Sequence, residues 1–242
     1  VTSISNSQRA PLPWINWQGT VYHGIPTDLY KFKKSAGNYL VFLGRISPEK
    51  RVDRAIEIAK LAKMKLKIAA KVDINDREYM DAAIRPLLDH PLVEFIGEIG
   101  DQEKADLLGN AYALLFPIDW VEPFGLVMIE AMACGTPVVA FRRGSVPEII
   151  DDGVTGFIVN DIEGSLQALD QINDFDRERC RKVFEERFST ARMVQDYLKI
   201  YDRLLEARVR IKPRVREVAK RSSLAPHANG ETGHADSLQS DL

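Results

Sequence analysis

The sequence predicts an α/β fold, with a mainly parallel sheet and helices on both faces. Short apolar runs recur between segments of helical period, which is the pattern of βαβ units. A Gly-then-Pro helix stop at Gly135 and Pro137 leads straight into the apolar run Val138-Val139-Ala140. The chain has 242 residues, 45% of them hydrophobic, which suffices for one sizeable core.

Taken in order, Tyr39–Leu43 reads as a strand and Val52–Lys63 as a helix. Leu66–Ala70 is a strand, Asn75–Asp89 a helix, Val93–Ile96 a strand and Gln102–Asn110 a helix. Ala113–Phe116 is a strand, followed by a helix that stops at Gly135. The strand Val138–Ala140, a short helix over Val146–Ile150 and the strand Gly156–Val159 come next. Ser165–Ile172, Arg177–Arg187 and Thr190–Glu206 have helical spacing.

The ends differ. Val1–Ala10 reads as a lone strand and the start of a helix, and Ala10–Gln18, with two prolines and two tryptophans, as a linker. Glu206–Arg221 holds seven basic residues against two acidic. The segment 208–221 reads as a solvated helix end, with peripheral contact to an anionic membrane surface as the second reading. Ser222–Leu242 has almost no large apolar residues and reads as disordered. The chain does not open on Met, which suggests a piece of something longer.

Composition excludes several classes. A formal net charge of −2 argues against a nucleic-acid partner. Cys134 and Cys180 have no paired spacing, so neither a disulfide framework nor a zinc site is expected, and a reducing, cytoplasmic compartment is the simplest reading. His23, His90, His227 and His234 form no metal-ligand spacing. No apolar run approaches the ~20 residues of a membrane span, and the first residues, which lack a basic region followed by an apolar core, are not expected to be a secretory signal.

The chemistry concentrates in two places. In Glu122-Pro123-Phe124-Gly125-Leu126…Glu130, a helix begins beside Phe124, Gly125 and Leu126. The first N–H groups of a helix lack partners and carry partial positive charge, so phosphate is the natural guest. If most of the intervening steps are helical, Glu122 and Glu130 lie on the order of 10–12 Å apart. A retaining glycosidase pair sits about 5 Å apart. The wider spacing suits hydrogen bonds to both ends of an extended ligand. A buried Glu130 needs partners, and capping or pairing with a basic neighbour is the plainer alternative. The second place is Gly44-Arg45-Ile46-Ser47-Pro48-Glu49-Lys50-Arg51, after the first strand. Ligands of open α/β sheets bind beyond the carboxyl ends of the strands. Arg45 and Lys50 offer a donor fork and a point charge for a diphosphate.

Gly44-Arg45…Lys50, the stretch from Glu122 to Glu130, the run from Glu130 to Ala140, and Gly153-Val154-Thr155-Gly156-Phe157 together resemble family 4 retaining glycosyltransferases. The likeness is to the C-terminal, nucleotide-sugar-binding half of that GT-B fold of two Rossmann-like domains. Val21-Tyr22-His23-Gly24-Ile25-Pro26 resembles the family's Asn-Gly-Ile-Asp segment, with His and Pro as departures. The match covers about residues 1–205. It implies residues 1–18 as a remnant of the N-terminal domain and linker, 19–188 as the Rossmann-like donor domain, 189–206 as a C-terminal crossing helix and 207–242 as a tail.

The resemblance also implies roles. Arg45 and Lys50 hold the donor diphosphate and, with Glu122 near the reacting carbon, make up the catalytic set. Gly125 and Leu126 add N–H groups, Glu130 binds the ribose, and Phe95 and Ile96 lie near the base. Gly44 and Phe124 complete the donor site. Where the family often has Gly-x-Gly, this chain has Ala69-Ala70-Lys71; Lys71 offers a further positive charge there. Glu148 reads as structural.

The expected activity is glycosyl transfer from a nucleoside diphosphate sugar, a UDP-sugar favoured, to an acceptor hydroxyl. The acceptor is not specified, and most of its site falls to the missing N-terminal domain, so the piece alone is expected to turn over poorly. No cofactor and no metal are expected: Asp73-Ile74-Asn75-Asp76 and Asp174-Phe175-Asp176 lack the setting of a metal motif. Localisation is expected to be cytoplasmic, with the inner membrane surface as an option. A nicotinamide dehydrogenase is disfavoured because Gly-x-Gly-x-x-Gly does not follow the first strand. A phosphorolytic relative lacks a motif for a pyridoxal-phosphate lysine. A non-catalytic nucleotide-sugar-binding module remains the alternative.

Overall fold

A computed structural model of the chain describes residues 1–222, with side chains through Arg208. Contacts divide the chain into two units. Val1–Leu198 holds both sheets, and the second begins at Lys199.

The N-terminal segment is not a lone strand. β1 (Thr2–Ser3) pairs in parallel with β2 (Gly19–Thr20), and α1 (Asn6–Arg9) lies between them. Ser5 caps α1 by accepting from the Gln8 N–H. The Ala10–Gln18 connection returns the chain to that pairing.

The main sheet follows. β3 (Tyr39–Arg45) leads through a 3-10 turn at Pro48–Lys50 into α2 (Val52–Leu61), and β4 (Lys65–Lys71) comes next. The helix expected over Asn75–Asp89 is broken into a 3-10 turn, α3 (Arg77–Tyr79), a π segment at Met80–Ile84 and α4 (Arg85–Leu88). Pro86 lacks an N–H and crowds the carbonyl four residues back, so a regular helix cannot run through it. β5 (Val93–Gly97), α5 (Asp101–Gly109), β6 (Ala113–Phe116), α6 (Leu126–Ala133), β7 (Val138–Phe141), α7 (Val146–Ile149) and β8 (Gly156–Val159) complete the alternation. α8 (Ile162–Gln171) begins earlier than its apolar spacing suggests, because Asp161 caps it at the Gly164 N–H, 2.8 Å away. α9 (Arg177–Phe188) is capped by Asp176. α10 (Thr190–Ser222) runs beyond the expected end near Glu206, so the basic stretch 208–221, read as a helix end, is helical backbone continuous with it. The disorder expected for the final residues lies, from 223 on, outside the described residues.

The six strands are all parallel, in the order β5-β4-β3-β6-β7-β8. The predicted parallel sheet with helices on both faces is therefore present. On one face Val41, Leu114 and Ala140 pack with Met128, Ile129, Met132, Phe184 and Phe188 of α6 and α9. On the other, Leu40, Phe42, Ile68, Leu115 and Val139 pack with Ile56, Ile58 and Leu169 of α2 and α8. Strand periodicity sends alternate residues to opposite cores. Burying each large aliphatic side chain contributes roughly 1.5–3 kcal/mol.

Because β3 pairs with both β4 and β6, the chain winds outward in both directions from the β3/β6 seam. That reversal of winding opens a crevice at the carboxyl ends of β3 and β6. Gly44, the Lys50 turn and the Glu122 loop all follow from those two strands.

Candidate active site

The loop after β6 is fixed before any side chain is considered. Gly125, the N-cap of α6, has φ +79°, and a Cβ there would meet the Met128 Cε at 2.7 Å. Its glycine is required by the left-handed turn into the helix. Gly144, at φ +55°, lies against the loop: an added Cβ would sit 2.2 Å from the Glu122 nitrogen. The Glu122 carbonyl accepts from the Ser145 N–H at 2.9 Å. Gly144→Ala is expected to push Glu122 out of place and to destabilise the protein by about 2–3 kcal/mol. A melting temperature equal to that of the parent refutes this.

A cavity of about 350 Å³ lies at the seam, with Gly44, Lys50, Phe116, Glu122, Phe124, Gly125, Leu126 and His23 among its walls. Phe124 is buried, packed edge-on against His23 at 4.9 Å, while Leu126 is exposed at the rim. Burial first, then the Arg192 charge, holds the His23 imidazole below its ordinary pKa. The Arg192 guanidinium donates to the Tyr22 and His23 carbonyls, both at 2.9 Å, and so fixes that segment. His23 stands out in the sequence only as a departure from a motif.

Lys50 and Glu122 meet inside this cavity. Lys50 Nζ lies 2.5 Å from Glu122 Oε2, and the side chains are only 20% and 9% exposed. The Trp120 indole N–H donates to the same oxygen at 3.0 Å. The Lys50 ammonium sits 5.0 Å from the Trp120 ring centroid and 5.8 Å from that of Phe116.

A second cavity of about 290 Å³ adjoins the first, sharing Leu43, Gly44 and Val127 with it. Glu130 lines it with Lys71, Lys104, Glu98, Ile99, Ala69 and Ala70. Burial raises the Glu130 pKa, opposed by the Lys104 charge and a hydrogen bond from Tyr30. Thus Glu130 has the basic neighbour that its structural reading asked for, and it also faces open space. Lys71 lies 3.4 Å from Asp73.

Two expected contacts sit elsewhere. Arg45 is at the end of β3 but outside both cavities, held by Glu49 at 2.7 Å and by Asp73 and Asp76 at 3.5 Å. Phe95 and Ile96 lie within the edge strand β5, and the cavity is lined by Glu98 and Ile99 just beyond it. A ligand reaches the loop after a parallel strand, not its middle. Glu148 does hold structure: its carboxylate accepts from the Asn6 and Ser7 N–H groups, both at 2.7 Å, and from Tyr22. It thereby anchors the start of α1.

Residues 29–182 match the family described as glycosyl transferases group 1. The chain belongs to that family. It is 29% identical over 198 residues to an uncharacterized 41.2 kDa protein in the cps region of Klebsiella pneumoniae, covering 75% of this chain and 54% of that protein. It superposes on AviGT4, a glycosyltransferase involved in avilamycin A biosynthesis, with TM-score 0.74 and 25% identity over 85% of this chain and 63% of that one. Anabaena HepE, solved in complex with UDP and glucose, gives TM-score 0.72 and 21% identity over 84% of this chain and 62% of its own. The chain spans about half the length of the first curated relatives it matches. Among the described residues no helix is long and apolar enough to cross a membrane, and no group of three or more His, Cys, Asp or Glu is placed to hold a metal ion.

Proposed function

We propose that this chain is the donor-binding, C-terminal half of a family 4 retaining glycosyltransferase, binding a UDP-sugar and passing its glycosyl group to an acceptor hydroxyl. The observation that carries this is the pair of adjoining cavities across the start of α6, with Lys50 and Glu122 in one and Glu130 in the other. A diphosphate over the first turn of α6 places a nucleoside toward Glu130 and a sugar toward Glu122. HepE, of like fold, was solved with UDP and glucose and lends support for the base.

Glu130 accepts the ribose hydroxyls and Lys71 faces the diphosphate from the β4 end. Glu122 accepts from the donor sugar. The bond between the anomeric carbon and the diphosphate oxygen breaks as the acceptor oxygen bonds that carbon from the same face. The hydroxyl proton passes to the leaving phosphate. Lys50 and the N–H groups of Gly125 and Leu126 stabilise the charge that develops on the diphosphate, without a metal. Arg45 joins them only by leaving Glu49, Asp73 and Asp76, an exchange that a diphosphate, with its stronger charge, favours. The acceptor site is assigned to the half of the enzyme that this chain does not span, so turnover by the chain alone is expected to be poor.

Calorimetric titration with UDP-, GDP- and ADP-sugars tests the reading, and no binding of any of them ends it. Glu130→Gln is expected to weaken donor binding by about 1–3 kcal/mol. The same change is expected to leave the ligand-free protein as stable or slightly more so at neutral pH. A carboxyl whose pKa is raised on folding keeps its proton where the unfolded chain has lost it, so stability falls as pH rises through that window. The glutamine variant lacks that decline. Undiminished donor affinity returns Glu130 to a structural role.

A further inference from the structure

We infer that Trp120 is a positioning residue for Glu122, holding its carboxylate in the cleft when the donor diphosphate takes Lys50 away. This rests on the donor-site reading above. Glu122 is 7% exposed, and its two side-chain donors among the described residues, Lys50 at 2.5 Å and the Trp120 indole at 3.0 Å, meet one oxygen, Oε2. The second oxygen takes neither.

Lys50 cannot serve two anions at full strength. While it is bound to Glu122, its charge is spent inside the cleft. A diphosphate at the start of α6 is the stronger attractor, and drawing Lys50 toward it leaves a buried carboxylate beside new negative charge. An unpartnered carboxylate in that place turns out of the cleft toward water. The indole N–H is a neutral donor on a rigid ring, and phosphate, which has no use for that short fixed reach, does not compete for it as it does for a flexible ammonium. Trp120 is therefore the donor that stays. Its ring also lies 5.0 Å from the ammonium, so departure of Lys50 changes the environment of the indole directly.

The assignment predicts that Trp120 matters for the sugar and not for the nucleotide. Trp120→Phe keeps a ring beside Lys50 and removes only the N–H. Affinities for UDP, GDP and ADP, and for their glucose and mannose conjugates, are measured by calorimetry on the full chain, with folding checked by the melting curve. The expected result, for the best-binding conjugate, is a five- to tenfold loss while its free nucleoside diphosphate binds within twofold of the parent. In a Glu122→Gln background the same change is expected to add less than twofold. Equal losses in conjugate and nucleotide, no loss in either, or full additivity overturns the role of Trp120. Absence of binding by every nucleotide to the parent protein removes the donor site itself, and this inference with it. A second readout needs no variant that folds poorly. The Trp120 indole N–H resonance, assigned with Trp14→Phe and Trp17→Phe, is expected to shift on nucleotide binding yet stay in the downfield, carboxylate-bonded range. Collapse to the position of a solvent-exposed indole overturns the proposal.

Discussion

Arg177→Met is expected to lower the free energy of unfolding by about 3–5 kcal/mol. Arg177 is only 5% exposed. Its guanidinium donates to the carbonyls of Lys33 at 2.8 Å, Gly109 at 3.1 Å and Ala111 at 3.2 Å, and to the Thr136 hydroxyl at 2.7 Å. Burial, with no carboxylate among these partners, pulls its pKa below the ordinary arginine range. One side chain thus satisfies the end of α5, the entry to β6, the turn after α6 and the segment before β3. Methionine fills the volume but strands those acceptors. Urea unfolding reads the effect as a lower midpoint at unchanged slope. A loss under about 1 kcal/mol shows that water replaces the guanidinium. Arg177→Lys is expected to recover only part of the loss, since a point charge does not span four acceptors.

Such a residue is hard to read from sequence, where an arginine at the start of a helix looks solvated. The central strands β6 and β7 were legible because each is a run of apolar residues buried on both sides, as Leu114 and Leu115 show, and the exposed edge strand β5 from its β-branched and aromatic residues. Their helices were legible from spacing and end signals. The N-terminal pair was not, since two-residue strands carry no periodicity and their partner lies far along the chain. The extent of α10 was missed for another reason. The stretch from Glu206 is dominated by Arg and Lys and contains Pro213, which set the expected end there, yet Ile211, Val215 and Val218 recur at helical spacing and Arg and Lys are good helix formers. The basic segment 208–221 was read as a helix end, and α10 does continue through it; what was missed is that it is one helix with Thr190–Glu206.

The candidate site divides the same way. Gly44 sits near the end of β3, Lys50 and Glu122 in the turn and loop after β3 and β6, Gly125 at the start of α6 and Glu130 one turn into it, and the βαβ pattern alone says that such segments converge. What sequence does not encode is which side chains there choose each other. Lys50 and Glu122 were expected to serve different parts of one ligand, yet they form an ion pair 72 residues apart. Tyr30 and Lys104, which steady Glu130, come from segments with no motif. Arg45 follows its strand as expected, but three carboxylates nearby outweigh the cleft as partners.

Lys50→Met separates the structural and binding roles of that ion pair. The change leaves the Glu122 carboxylate buried with the Trp120 indole as its remaining side-chain donor, and removing one member of a buried pair is expected to cost about 2–4 kcal/mol of stability. Glu122→Gln added to Lys50→Met removes the stranded charge, and the double variant is expected to regain most of the loss. A surface pair contributes about 0–1 kcal/mol and shows no such recovery, so the cycle itself reports on burial. Binding is expected to behave differently. The diphosphate loses its lysine in both variants, so nucleoside diphosphate affinity stays at least about tenfold below the parent even where stability has returned. Recovery of affinity together with stability assigns Lys50 to holding Glu122 and leaves α6 alone to hold the phosphates.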